Sequence, residues 1–219
     1  KRNTAKKAMT KRKPLGAKVR TVVNRMAEEK TWEIITGTGT AVTTNASWNF
    51  KSILAGLQQG TTSHSRLGNR VFVKRINIVL KFVPSAANMP VTNGTNHACE
   101  WVIYHNKSAN GELPDATAIW GGNHIGATRN YAAKKKYSIE KYGVHYMSLN
   151  CGPRNAATMI SNGLGYYRFS IPVNKVIEFS SNAGGVTDLL TDDYGIGTVA
   201  SDADCCATTM RTQVVFTDY

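Results

Sequence analysis

The chain has 219 residues, 42% hydrophobic and 19% charged, a composition that excludes a disordered polymer and suits one all-β domain or two small ones. No stretch approaches the roughly 20 apolar residues of a membrane helix, and no apolar leader stands at the N-terminus, so neither a membrane partner nor a signal peptide is expected. The formal net charge of +13 is unevenly placed: ten of the 27 basic residues and no acid fall in 1–25, leaving 17 basic against 14 acidic in the rest.

Those ten are Lys1, Arg2, Lys6, Lys7, Lys11, Arg12, Lys13, Lys18, Arg20 and Arg25. A cationic run of this density points to a polyanion partner. Nucleic acid fits better than a membrane surface, because no aromatic or bulky apolar face precedes Val19. Pro14 and Gly16 close a stretch without regular structure. From 18 to 29, Val19, Val22, Val23 and Met26 recur at helical spacing. Lys18 and Arg20 stand early and Glu28 and Glu29 late, against the helix dipole, so this short helix needs a partner surface. Residues 1–29 are thus read as a basic nucleic-acid-binding arm with a short amphipathic helix.

From Thr31 the pattern turns to β. The first strand is expected at 31–38, followed by a Thr/Asn/Gly-rich connection in which Trp48, Phe50, Ile53 and Leu57 cap the core. The longest alternation lies at 70–83, with Val71, Val73, Ile76, Ile78, Leu80 and Phe82 on one face. Its phase slips where Lys74 and Arg75 fall side by side, which predicts a β-bulge. A strand follows at 97–105, with Cys99, Trp101 and Ile103 on one face. The excursion 106–126 has a helical turn at 116–120. Strands at 135–141 and 144–150 are joined near Tyr142 and Gly143. Residues 166–171 and a strand at 175–180 flank Pro172; a loop at 183–194 contains a turn at 186–190; strands at 196–201 and 210–217 end the chain. Eight or more strands, few helices and long connections describe an all-β antiparallel sandwich beginning near residue 30.

The usual signs of catalysis are missing. Cys99, Cys151, Cys205 and Cys206 show no CxxC spacing, so they are read as reduced small hydrophobes and not as zinc ligands. His64, His97, His105, His124 and His145 are dispersed, and neither GxSxG nor a Walker A motif occurs. Asp188, Asp192, Asp193, Asp202 and Asp204 cluster in loop regions, which is weak support for a paired-carboxylate hydrolase. No enzyme is expected.

A basic arm, a short helix and an eight-stranded antiparallel domain resemble the plan of single jelly-roll viral capsid proteins. Gln59-Gly60, Arg66 and Gly68 followed by the strand from Arg70 resemble a turn common in capsid proteins of circular single-stranded DNA viruses. The Glu28-Glu29-Lys30 approach, Gln59-Gly60, Lys136-Tyr137-Ser138-Ile139, Leu149-Asn150-Cys151 and the ending Val214-Val215-Phe216-Thr217-Asp218 are similar to the coat protein of satellite tobacco necrosis virus. The resemblance implies two sheets, BIDG and CHEF, in a jelly-roll shell domain at 30–219. The lettering expected is B 31–38, C 70–83, D 97–105, E 135–141, F 144–150, G 175–180, H 196–201 and I 210–217. It also implies a closed icosahedral homo-oligomer of about 60 copies.

The same resemblance implies calcium at a subunit contact, with Glu28, Asp218 and the carbonyls of Leu67 and Arg70 as ligands. Thr61 stands where a second site would need an acid, so that second site is not expected.

The function expected is therefore a viral capsid protein that self-assembles and packages single-stranded nucleic acid, RNA or DNA, through its arm. Lys134-Lys135-Lys136 is a second basic patch, equally readable as a solvated strand edge. The location implied is the virion, with assembly inside the host cell, the nucleus included. The alternative is a cellular nucleic-acid-binding protein with a β-sandwich body and no sequence preference.

Overall fold

The structure, a computed structural model, describes residues 28–41, 48–84, 96–150, 160–162, 164–201 and 206–219. The ten arm cations and 18–27 of the expected helix lie outside the described residues, as do Cys151 and Cys205. Glu28 and Glu29 are described, and they lead into the first strand without helix.

Among the described residues nine strands follow: β1 (Lys30–Ala41), β2 (Asn49–Ser52), β3 (Arg70–Pro84), β4 (Asn96–Asn106), β5 (Tyr137–Asn150), β6 (Ile160–Asn162), β7 (Gly165–Glu178), β8 (Asp193–Ala200) and β9 (Cys206–Asp218). They form two antiparallel sheets, ordered β1-β9-β3-β7 and β2-β8-β4-β5-β6. With the three-residue edge strand β6 set aside, lettering the other eight in chain order gives B-I-D-G and C-H-E-F. That is the strand order of a jelly roll.

The expected lettering needs correction. The long strand at 70–84 is D, not C; the strand C is β2, only four residues long, where the sequence showed only apolar caps. Strand 96–106 is E. The strands expected at 135–141 and 144–150 are one, β5, which starts at Tyr137, after Lys135 and Lys136, and runs through Tyr142 and Gly143. Gly143 is there to make room, since a Cβ would come within 2.4 Å of the Trp101 indole on the neighbouring strand. Pro172 likewise does not interrupt β7. This is an edge strand, and Pro172 faces Arg75 beside the bulge, where a missing N–H breaks no ladder.

The predicted bulge is present. Val73 faces Phe216 and Arg75 faces Val215, so Lys74 is the extra residue in β3. On the other side two residues, Val173 and Asn174, stand against Lys74, and Asn174 takes a left-handed φ of 50°.

The main core lies between the sheets, where Val73, Ile76, Leu80 and Phe82 of β3 meet Trp101 and Ile103 of β4. The alternate residues of β4, Val102 and Tyr104, are also buried. They face outward from the second sheet into a smaller core with Phe50, Ile119, Trp120 and Tyr137. The excursion 107–136 is thus a cover for the outer face of that sheet. It includes the one-turn helix Ala116–Ile119, capped by Asp115, and a 3-10 turn, Tyr131–Lys135. The predicted turn at 186–190 is a 3-10 turn, Val186–Asp188. Cys99 and Cys206 are buried thiols.

Candidate functional site

The end of the sandwich where the arm joins is built by the connection between β2 and β3. Its Gln59, Gly60, Arg66 and Gly68 are the residues that carried the resemblance. Arg66 has no exposed surface. Its Nε donates to the Leu57 carbonyl at 3.0 Å; Nη1 donates to the Gly68 carbonyl and to Asn69 Oδ1, and Nη2 to the Ser181 carbonyl. The guanidinium also lies 4.3 Å from the centroid of the Phe179 ring. Burial lowers its pKa, and the charge is supported by Asp188. Gln59 Nε2 donates to the Leu67 carbonyl at 2.7 Å, and the Gly60 N–H donates to the Arg66 carbonyl at 2.9 Å. These residues shape a loop from inside; Arg66 offers nothing to a ligand.

That loop brings three of the four expected metal ligands to one pocket, bordered by Glu28, Leu67 and Asp218 together with Lys30 and Thr61–Ser63. Arg70 is not among its walls; its side chain pairs with Glu178 at 3.0 Å. Lys30 changes the chemistry. Its buried ammonium lies 2.7 Å from Asp218 Oδ2 and 3.2 Å from the Ser65 carbonyl oxygen. The other Asp218 oxygen accepts the Leu67 N–H at 2.8 Å, so Leu67 presents a donor to this carboxylate, not its carbonyl. Calcium takes roughly six to eight oxygens at about 2.4 Å. A carboxylate already held by an ammonium and an amide, beside a carbonyl turned to Gln59, does not fit that requirement. Among the described residues no three of His, Cys, Asp and Glu gather closely enough to hold a metal ion.

Glu29 points elsewhere. It accepts from Lys74 at 3.0 Å and from Arg75 at 3.5 Å, both at the bulge. The root of the arm is thereby tied to β3, across β9 from its own strand.

Lys134, Lys135 and Lys136 do not form a strand edge. Lys134 and Lys135 are exposed on the 3-10 turn before β5, and Lys136 lies over the ring of Tyr137 at 5.3 Å.

A titratable cluster, missed in the sequence, links the two sheets at His105. Its Nε2 is 2.5 Å from Asp192 Oδ1, which also accepts from Lys175 of β7 at 2.6 Å. The ring stacks on Tyr194 with centroids 4.3 Å apart. Burial lowers the His105 pKa, and the Asp192 hydrogen bond opposes this. Ser138 Oγ lies 3.3 Å from His105 Nδ1 but donates to Glu140 at 3.0 Å, so its proton is committed to a carboxylate. Next along the chain, burial pushes Asp193 up to about 7, although Ser52 Oγ donates to it at 2.5 Å. The signal for this cluster was the acid pair Asp192–Asp193; only strand pairing set it beside a histidine 87 residues away.

No family model and no curated protein matches the chain. Among solved structures it is similar to the BFDV capsid protein, whose crystal structure is of a 60-mer. The two share 11% identity over 86% of this chain and 88% of that one, with a TM-score of 0.25.

Proposed function

We propose that the chain is a viral capsid subunit, which assembles into a closed shell and packages single-stranded nucleic acid without reading its sequence. The observation behind this is a juxtaposition. A segment with ten cations and no acid, 1–25, precedes by four residues Lys30, the first residue of an edge strand in a B-I-D-G/C-H-E-F sandwich. Ten charges on each of ~60 arms would supply ~600 charges to phosphates, with counterion release as the driving force. The shell domain contributes rigidity, and exposed apolar residues such as Leu67, Leu164 and Leu190 are available for contacts between copies. At the Glu28/Asp218 end, the neutralising charge is assigned to Lys30 and not to calcium. The protein's place is the virion, reached by assembly inside a host cell.

Two measurements test the reading. Light scattering of the purified chain should give a particle of megadalton mass. Removal of 1–25 should leave the β circular dichroism intact and lower the 260/280 nm absorbance ratio to that of protein alone. A monomer of 23.9 kDa that still binds polyanions would support the cellular nucleic-acid-binding alternative instead. A truncated particle with undiminished nucleic acid would remove the arm from the mechanism.

A further inference from the structure

The solvent face of the first sheet has an organisation that the arm does not explain. Strand alternation turns Asn77, Val79 and Lys81 of β3 away from the core that Ile76, Ile78 and Leu80 enter. Cross-strand pairing then lays out rows. Ser170, Asn77, Gln213 and Glu33 stand side by side on β7, β3, β9 and β1. They form one lateral chain of hydrogen bonds: Ser170 Oγ to Asn77 Oδ1 at 2.9 Å, Asn77 Nδ2 to Gln213 Oε1 at 3.0 Å, and Gln213 Nε2 to Glu33 Oε1 at 3.3 Å. The next row holds Arg168, Val79 and Arg211, and the row after it Tyr166, Lys81 and Thr209.

The charges on this face are not balanced. Its carboxylates are engaged: Glu29 by Lys74 and Arg75, Glu33 by Arg211, and Glu178 by Arg70. Lys81 and Arg168 have no acid partner among the described residues. They flank Tyr166, which is 52% exposed, and the Arg168 guanidinium lies 5.0 Å from the centre of that ring. Cations beside an exposed aromatic ring supply what a single strand needs: phosphate neutralisation and a surface on which any base can stack. At the bulge end of β3 the Glu29 side chain reaches this sheet through Lys74 and Arg75.

We infer that this face, centred on Lys81, Tyr166 and Arg168, is a second contact surface for single-stranded nucleic acid, separate from the ten cations of 1–25. It binds phosphates through the two cations and stacks one base on Tyr166. The inference rests on the packaging reading above and names the folded surface that takes part in it.

The test uses the full chain, freed of nucleic acid at high salt, and a fluorescein-labelled oligothymidylate followed by anisotropy across a salt series. Each phosphate contact contributes about 0.7 to the slope of log K against log salt for single strands, so Lys81→Ala/Arg168→Ala should flatten the slope by about 1.4. Tyr166→Ala should weaken binding about tenfold with the slope unchanged, since stacking releases no counterions. Glu33→Gln, which releases Arg211, should tighten binding; a gain cannot come from misfolding. Ultraviolet crosslinking of the bound strand should label the peptide containing Tyr166. If the wild type binds and all three variants match it, the strand is held by the arm alone and the inference is overturned. If the wild type binds no strand at all, the packaging reading itself falls.

Discussion

The ammonium of Lys30 lies 2.7 Å from the carboxylate of Asp218, joining the first residue of β1 to the last of β9. The side chain of Lys30 is 8% exposed and that of Asp218 24%, so the pair is worth more than a surface bridge and less than a fully buried one. Lys30→Met should cost roughly 1–3 kcal/mol in denaturant unfolding. It should also create a response that the wild type lacks. With the ammonium gone, Glu28 and Asp218 border the pocket without a counter-ion, and millimolar calcium should raise the melting temperature of the variant only. A wild type that melts earlier in EDTA would show that a metal, and not Lys30, balances this end.

Arg66 is held by carbonyls from three separate parts of the chain, at Leu57, Gly68 and Ser181. Lysine keeps the charge but has a compact head that cannot reach all three directions. Arg66→Lys should therefore lose about 3 kcal/mol, because buried carbonyls are left without donors. A loss below about 1 kcal/mol would mean that the loop rearranges around the shorter head.

Asn174 sits opposite the bulge with a φ of 50°. Asparagine tolerates this region and alanine does so at a cost of about 1 kcal/mol. Asn174→Ala should destabilise by that amount and Asn174→Gly should not. Equal losses in both would place the side chain, not the backbone, in control.

Asp193 gives stability a particular pH dependence. Its carboxyl is raised from 3.8 to about 7 by burial, so the folded state holds a proton that the unfolded state releases. Its contribution is full below about 4 and is lost as pH rises towards about 7. His105, whose pKa burial lowers, works in the opposite sense, so the comparison must be between proteins at matched pH. The melting temperature of Asp193→Asn minus that of the wild type should grow by on the order of 5 °C between about pH 5 and about pH 7.5. A constant difference would mean that Asp193 does not titrate in this window.

What the sequence determined on its own was local. Alternation at 70–83 marked the inward face of β3, and the adjacent Lys74 and Arg75 marked its bulge, because side-chain period and phase are properties of one strand. The charge split at residue 25 was equally plain, since it needs only counting. Pairing between distant strands decided the rest. A four-residue β2 is too short to show a period, and it became the edge strand of its sheet only by joining β8. Gly143 and Pro172 read as breaks until the Trp101 ring and the bulge gave each a place inside a strand. Lys30, one more cation in a basic chain, became the partner of Asp218 because β1 and β9 run antiparallel and bring positions 30 and 218 together at one end. Local periodicity encodes which face of a strand is buried; which charges meet is set by register between segments that the chain itself keeps far apart.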